Sequence, residues 1–467
     1  MARDARPFTD RRSFVRSVSH GFGAIAFAAL AHRPAAGVEA ADSAASSPLA
    51  VKPPHFPARA KRVLMLCMEG GPSHVDTFDH KPELARRGGE PIGRGRVPTG
   101  RLFPSPWAFA PGGESGLQIS ELYAGVRAHA DKLCLLRGMQ TDIPAHPPAF
   151  VQMHTGISTA PRPSMGAWIL YGLGTENANL PGFVTICAPP NNGGATNFGS
   201  AFLPAAYQGT RIGTARQPIA RAQVANLKSP RGPRVQEEQL AFIRSLNAAA
   251  DERDRGNPFI TGLAEAHALA YRMQGELPPV IDLAQESAAT QSLYGIGPAE
   301  TDDFGRQCLM ARRLLEADVR FVEVCHGGWD QHRNLRTDHA KHALATDRPI
   351  AGLLQDLADR GLLADTLVIW AGEFGRTPYA QVEDGRDHNH TGYTTWLAGA
   401  GVKGGFAHGA TDDFGLEAVE GKVHIHDWHA TILHLLGLDH ERLTFPYAGR
   451  DMRLTDVKGR VVREIIA

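Results

Sequence analysis

The residues with the greatest chemical reach sit in short polar turns beside apolar runs. One turn, His326-Gly-Gly-Trp-Asp330-Gln-His332, follows the run Phe321–Cys325, and a second, Gly372-Glu373-Phe-Gly-Arg376, follows Thr366–Ala371. A third cluster, Asp387-His388-Asn-His390-Thr391, precedes Thr394–Ala400, and Glu69 closes the run Lys61–Met68. Carboxylates and imidazoles converging from such ends make a divalent-metal site. Borderline ions such as Zn²⁺ take imidazole nitrogen together with carboxylate oxygen, whereas histidine-free sets favour Mg²⁺ or Ca²⁺. The same residue types also serve as capping groups and solvated loop residues. Twelve of the 21 histidines fall between His326 and His440, which concentrates imidazole where these turns lie.

The elements that must position these turns follow from patterning. Continuous apolar runs at 61–68, 321–325 and 366–371 predict parallel strands buried on both faces, with functional loops at their carboxyl ends. Lys132–Leu136, Gly182–Ala188 and Thr394–Ala400 add further strands. Helical spacing covers Phe304–Leu314, Asp338–Arg360 and His429–Leu438, and the stretch near 233–292 predicts a helical insertion. The Gly- and Pro-rich segments 86–116 and 189–232 read as long loops over the sheet, and no repeat appears. Strands alternating with helices predict an α/β sandwich around a mostly parallel sheet, one domain over residues 61–467.

Composition narrows the function classes. The 467-residue chain carries 49 Lys+Arg against 49 Asp+Glu, a balance that argues against nucleic-acid binding by bulk electrostatics. Arg11-Arg12 ahead of Phe14, an apolar run from Gly21 to Ala31 and a small-residue site at Val38-Glu-Ala40 have the layout of a twin-arginine signal peptide over 1–40. Residues 41–60 read as an Ala/Ser/Pro-rich linker. The apolar run is shorter than the roughly 20 residues a membrane span needs, so the mature chain is expected to be exported without a span. Five widely spaced cysteines, with no CxxC pair, predict neither a disulfide framework nor a thiolate zinc site.

Several segments together resemble a known superfamily. Thr366-Leu-Val-Ile-Trp-Ala-Gly-Glu-Phe-Gly-Arg376 is similar to the segment of alkaline phosphatases and sulfatases that ends in Asp-His-Gly. Asp427-Trp-His-Ala-Thr-Ile-Leu-His-Leu-Leu-Gly-Leu438 is similar to one of their helices, and Val63–Glu69 to their first strand. His146-Pro-Pro-Ala-Phe-Val-Gln-Met-His-Thr-Gly156 has the length and ending of the sulfatase nucleophile segment. Gly70-Gly-Pro-Ser-His-Val-Asp-Thr-Phe-Asp79, Leu203–Thr210, His326–His332 and Gly372–Pro378 more closely resemble an exported bacterial family, the sulfatase-like domain of unknown function fifteen-oh-one. The resemblance spans nearly the whole mature chain and implies an alkaline-phosphatase-like three-layer sandwich.

It also implies roles. Asp330, His332 and His390 stand where the superfamily holds one metal, and Glu69 and Glu373 stand where aspartates hold a second. Phe374 replaces an expected histidine, so one site is better supported than two. His146 occupies the nucleophile position, but a histidine cannot form the aldehyde hydrate that sulfatases use, which excludes a formylglycine mechanism under this alignment. Ser73 is an alternative nucleophile, or the cap of a following helix. Arg376 either grips an anionic group or pairs with a carboxylate. The expected function is an exported, zinc-type hydrolase of a phosphate or sulfate ester on a small molecule or polysaccharide. The alternative, suggested by the missing nucleophile and by Phe374, is a non-catalytic binding or envelope protein that retains the fold. A sugar-phosphate mutase or transferase fits export poorly.

Overall fold

The computed structural model describes residues 47–467 apart from 95, 216, 223, 225, 226, 228–231 and 254–256. The leader expected over 1–40 lies outside the described residues. The strands used below are β1 (Arg62–Met68), β2 (Leu133–Gln140), β3 (Phe183–Ile186), β4 (Thr210–Ile212), β5 (Phe321–His326), β6 (Thr366–Ala371), β7 (Gly375–Ala380), β8 (Arg386–Asn389), β9 (Tyr393–Gly399), β10 (Phe406–His408) and β11 (Val423–His424). The helices are α1 (His146–Thr155), α2 (Met165–Leu173), α3 (Pro233–Arg253), α4 (Pro258–Ile281), α5 (Asp302–Glu316), α6 (Leu335–Asp359) and α7 (Ile425–Leu435).

Nine strands form one sheet in the order β10-β2-β9-β6-β1-β5-β3-β4, with β11 also pairing β2. All neighbours run parallel except β9, which lies antiparallel to both β6 and β2. The three central strands are apolar and buried almost throughout, which is the signature of a sheet covered on both faces. Alternation along β5 shows what covers each face: Glu323 meets His154 of α1, while His326, of opposite parity, packs its ring on Phe304 of α5. The α/β sandwich read from the sequence is the observed architecture.

The expected helical insertion is present as α3 and α4, and Leu269, Met273 and Leu277 of α4 reach the common core. Residues 47–60, read as part of a linker, are pinned to the domain. Lys52 N donates to Leu173 O, His55 N to Gly437 O and Arg59 N to Leu435 O, each at 2.9 Å.

Because β6, β1 and β5 are adjacent and parallel, their carboxyl ends deliver Glu373, Glu69 and Asp330 to one edge of the sheet. The turns there approach closely. A Cβ on Gly70, whose φ is +114°, would lie 2.7 Å from the Asp330 nitrogen, so no side chain fits between the two turns.

Candidate metal centre

α1 begins with His146-Pro147-Pro148. Proline suits a first helical turn because its missing N–H has no partner there in any case, and its fixed φ is already helical. The helix closes on Gly156 in the left-handed conformation (φ +79°). This arrangement sets the His146 imidazole at the entrance to α1, over the ends of the central strands. His332 comes from the turn after β5, and His388 lies on β8, where its cross-strand partner is Arg376 on β7.

One oxygen organises the group. Asp330 Oδ1 lies 3.0 Å from His146 Nε2, 2.9 Å from His332 Nε2, 3.4 Å from His388 Nε2 and 2.6 Å from Arg376 Nη2. The His332 and His388 Nε2 atoms are 2.8 Å apart. Every ring has its other nitrogen tied to an oxygen: His146 Nδ1 to Glu373 Oε1 at 2.6 Å, His388 Nδ1 to the Pro144 carbonyl at 2.6 Å, and His332 Nδ1 to Gln381 Oε1. A carbonyl oxygen only accepts, so the Nδ1 atoms of His332 and His388 carry the proton and their Nε2 lone pairs face Asp330.

This donor set fits a cation. Two Nε2 lone pairs that face one another and a carboxylate are unfavourable unless a proton or a metal ion stands between them. Tetrahedral zinc, with bonds of 2.0–2.1 Å, sets its ligands about 3.3 Å apart, close to the separations found here. Imidazoles anchored through Nδ1 are the usual support of a metal-binding histidine. His146 Nε2, Asp330, His332 and His388 offer ligand atoms that all lie within 4.8 Å of one another.

Burial works to lower the His146 pKa, but hydrogen bonds to Asp330 and Glu373 outweigh it and push the value up to about 9. Burial works to raise Asp330, yet His146, His388 and the Arg376 charge hold it far below the usual carboxylate range.

The residues singled out in the sequence divide sharply. His146, Asp330 and His332 come together. His390 does not. It lies in a bend past the end of β8, its carbonyl accepting from Thr141 N at 3.0 Å, and His388 takes the place expected for it. Glu373 stands behind His146, fully buried, and accepts from Gly70 N at 3.1 Å instead of joining the four donors. Glu69 is not among the four converging donors and accepts from Asn192 Nδ2 at 2.5 Å.

Ser73 is fully buried and donates to Asp76 Oδ2 at 2.5 Å; Asp76 is in turn paired with Arg386 at 2.7 Å. Its side chain does not cap the following turn, because that carboxylate captures the hydroxyl. Arg376 is buried and spends its donors on Asp330 and on the Gly70, Gly71 and Arg386 carbonyls, so it braces the turns instead of reaching outward. Gln381 was not anticipated, and nothing in its sequence setting marks it.

A second group, Cys67, His154 and Glu323, lies sealed inside the sheet, with His154 Nε2 at 2.6 Å from Glu323 Oε1.

Residues 60–466 match a family described as "Protein of unknown function (DUF1501)". The chain belongs to this family. DUF1501 is thus the family that the sequence motifs resembled, and its match takes in the whole cluster. No curated protein matches the chain. Among solved structures, the PsFucS1 sulfatase from Pseudoalteromonas sp. is 13% identical, with a TM-score of 0.36 over 83% of this chain and 69% of that one. The lipoteichoic acid synthase LtaP from Listeria monocytogenes is 9% identical (TM-score 0.35, 87% and 78% covered). The C-terminal periplasmic domain of EcEptC from Escherichia coli, in complex with Zn, is 11% identical (TM-score 0.35, 84% and 88% covered).

Proposed function

We propose that the protein is an exported, metal-dependent hydrolase of a phosphate or sulfate ester, carried by a small molecule or a polysaccharide, and that it works without a formylglycine nucleophile. The observation that carries this reading is the convergence of three imidazole Nε2 atoms on Asp330, with each Nδ1 held by an oxygen. A zinc-type ion bound there would polarise an ester oxygen and lower the pKa of a water ligand.

The chain's own residues have defined tasks in this scheme. Glu373, buried behind His146, fixes the orientation of that ring, and Pro144 and Gln381 do the same for His388 and His332. Arg376 holds Asp330 and the 70–71 turn in one arrangement. Neither residue read as a nucleophile is free: Ser73 is buried on Asp76, and both nitrogens of His146 face carboxylates. The reading therefore assigns the attack to water. Export rests on the leader over 1–40. Among the described residues no helix is long and apolar enough to cross a membrane.

The test is metal analysis of the purified protein with a panel of phosphate and sulfate monoesters and diesters, using His388→Ala as control. The expected result is one zinc-type ion per chain and an ester turnover that disappears with the ion in the variant. A protein that binds no divalent metal and turns over none of the panel would instead be the non-catalytic descendant.

A further inference from the structure

Water that attacks an ester at Asp330 must hand its proton to a base, and most groups around the centre have none of their basicity to spare. Asp330 is held by Arg376 and faced by three imidazoles. Glu373 spends both oxygens: Oε1 meets His146 Nδ1 at 2.6 Å, and Gly70 N donates to Oε1 and Oε2 at 3.1 and 3.2 Å. The three histidines present Nε2 to Asp330 and Nδ1 to other oxygens. Asp387 lies 3.9 Å from His332 Nδ1, on the side of that ring turned away from Asp330. Ser73 is buried on Asp76.

Glu69 differs from all of these. It follows β1 directly, and its carbonyl accepts at 3.2 Å from the N–H of Trp329, the residue before Asp330. Asn192 Nδ2 donates to its Oε1 at 2.5 Å and fixes the plane of the carboxylate. Asn192 is itself held, its carbonyl accepting from Asn197 Nδ2 at 2.6 Å. The other oxygen, Oε2, has no hydrogen-bond partner among the described residues and is not sealed from solvent. It lies beside Gly327, where a Cβ would come within 2.7 Å of it. Glu69, Gly327 and Gly328 together line a cavity of about 530 Å³, which leaves room for water at that oxygen.

The electrostatics suit a base. Burial raises the Glu69 pKa above the ordinary carboxylate value; Glu373 adds to the rise, while the bond from Asn192 and the His146 charge oppose it. A carboxylate poised higher is a better proton acceptor.

We propose that Glu69 is the general base of the reaction, accepting through Oε2 a proton from the water that attacks the ester. The ester itself is taken from the hydrolase reading. The water oxygen bonds to phosphorus or sulfur as its proton passes to Oε2. The bond from that atom to the alcohol oxygen breaks, and the electron pair leaves with the alcohol. That oxygen takes up a proton from solvent as Glu69 releases its own, so the carboxylate is regenerated. Glu69 thus acts beside the four donors and is not one of them.

The experiment compares Glu69→Gln and Glu69→Ala with the wild-type protein, measuring bound metal, metal affinity and ester turnover on each. Glu69→Gln keeps an acceptor for Asn192, and it is expected to hold metal as the wild type does. Its kcat should fall about 100- to 10,000-fold with KM little changed. In Glu69→Ala, sodium formate, a carboxylate small enough for the cavity, should restore part of the lost turnover, which a merely structural role does not predict. A Glu69→Gln protein with weakened metal affinity would make Glu69 a ligand and overturn the proposal. So would undiminished turnover in Glu69→Gln, or a metal-loaded Glu69→Ala protein that gains nothing from formate. A wild-type protein that turns over no ester is a different result: the hydrolase reading fails there, and the base falls with it.

Discussion

Two groups of histidine and carboxylate sit at different depths of the same sheet, and their residue types barely distinguish them. In the outer one, Asp330 keeps 46% of its side chain exposed, and three Nε2 atoms converge on it. In the inner one, Glu323 is 1% exposed, and every polar atom already has a partner. His154 Nδ1 bonds Phe150 O at 2.8 Å, its Nε2 bonds Glu323 Oε1, and Thr185 donates to Glu323 Oε2 at 2.6 Å. On the proposed reading, what separates a candidate binding centre from a structural ion pair is the count of unspent lone pairs and a path to solvent, not the presence of imidazole.

The sharpest way to test this contrast is acid. His326, half-buried at its strand end, and the fully buried His339 and His429 are uncharged, desolvation being the main cause that pushes each down to about 3. A folded-state pKa below the unfolded value of about 6.5 gives stability that is present above pH 6.5 and lost as pH falls towards 3. At about 1.4 kcal/mol per unit, three such groups should remove several kcal/mol by pH 4.5. Urea unfolding midpoints of the metal-free protein between pH 7 and 4.5 should fall steeply, and His429→Gln should flatten that slope.

Next in size is the inner pair. His154→Leu leaves Glu323 charged in the core and should cost about 3–5 kcal/mol in chemical denaturation while metal stoichiometry stays at the wild-type value. A folded His154→Leu protein that lost metal would show that the inner group holds an ion, and the contrast would collapse. In the outer group, Gln381 touches solvent and orients His332. Gln381→Ala should weaken metal affinity about 10- to 100-fold in a competition titration, with the unfolding midpoint unmoved. The smallest effect on chemistry belongs to Ser73→Ala. It should cost about 1.5–3 kcal/mol of stability through the lost bond to Asp76 and leave turnover per folded molecule unchanged. A collapse of turnover there would restore Ser73 as the nucleophile.

The sheet was legible because parallel strands buried on both faces are apolar without interruption, as in Val63–Met68 and Leu367–Ala371. The strand-end turns were legible for the same reason, and they brought Asp330 and His332 into view; His146 came from the resemblance, read as a nucleophile, and stands in the structure beside them as a further donor. Choosing between His388 and His390 was beyond sequence, because both have the same parity and only the bend after Asn389 separates them. The part played by Glu373 was hidden as well. A carboxylate that ligates and one that orients a histidine look alike until burial is known. The burial of Ser73 on its neighbour Asp76 depended on the Arg386 that pairs with that carboxylate, and the bracing role of Arg376 on the Gly70–Gly71 carbonyls, contacts between segments distant in sequence.

The one strand of the nine-stranded sheet that runs antiparallel to its neighbours, β9, bears on how the four donors come together. It follows directly on β8, so His388 is positioned only once that late segment has entered between β6 and the much earlier β2. The four donors run from residue 146 to residue 388, and before that closure only Asp330 and His332 are neighbours in sequence. Closing such distant contacts is slow and comes late in folding. On the proposed reading, a partly folded chain would lack the assembled donor set, and uptake of an ion would follow closure of the sheet.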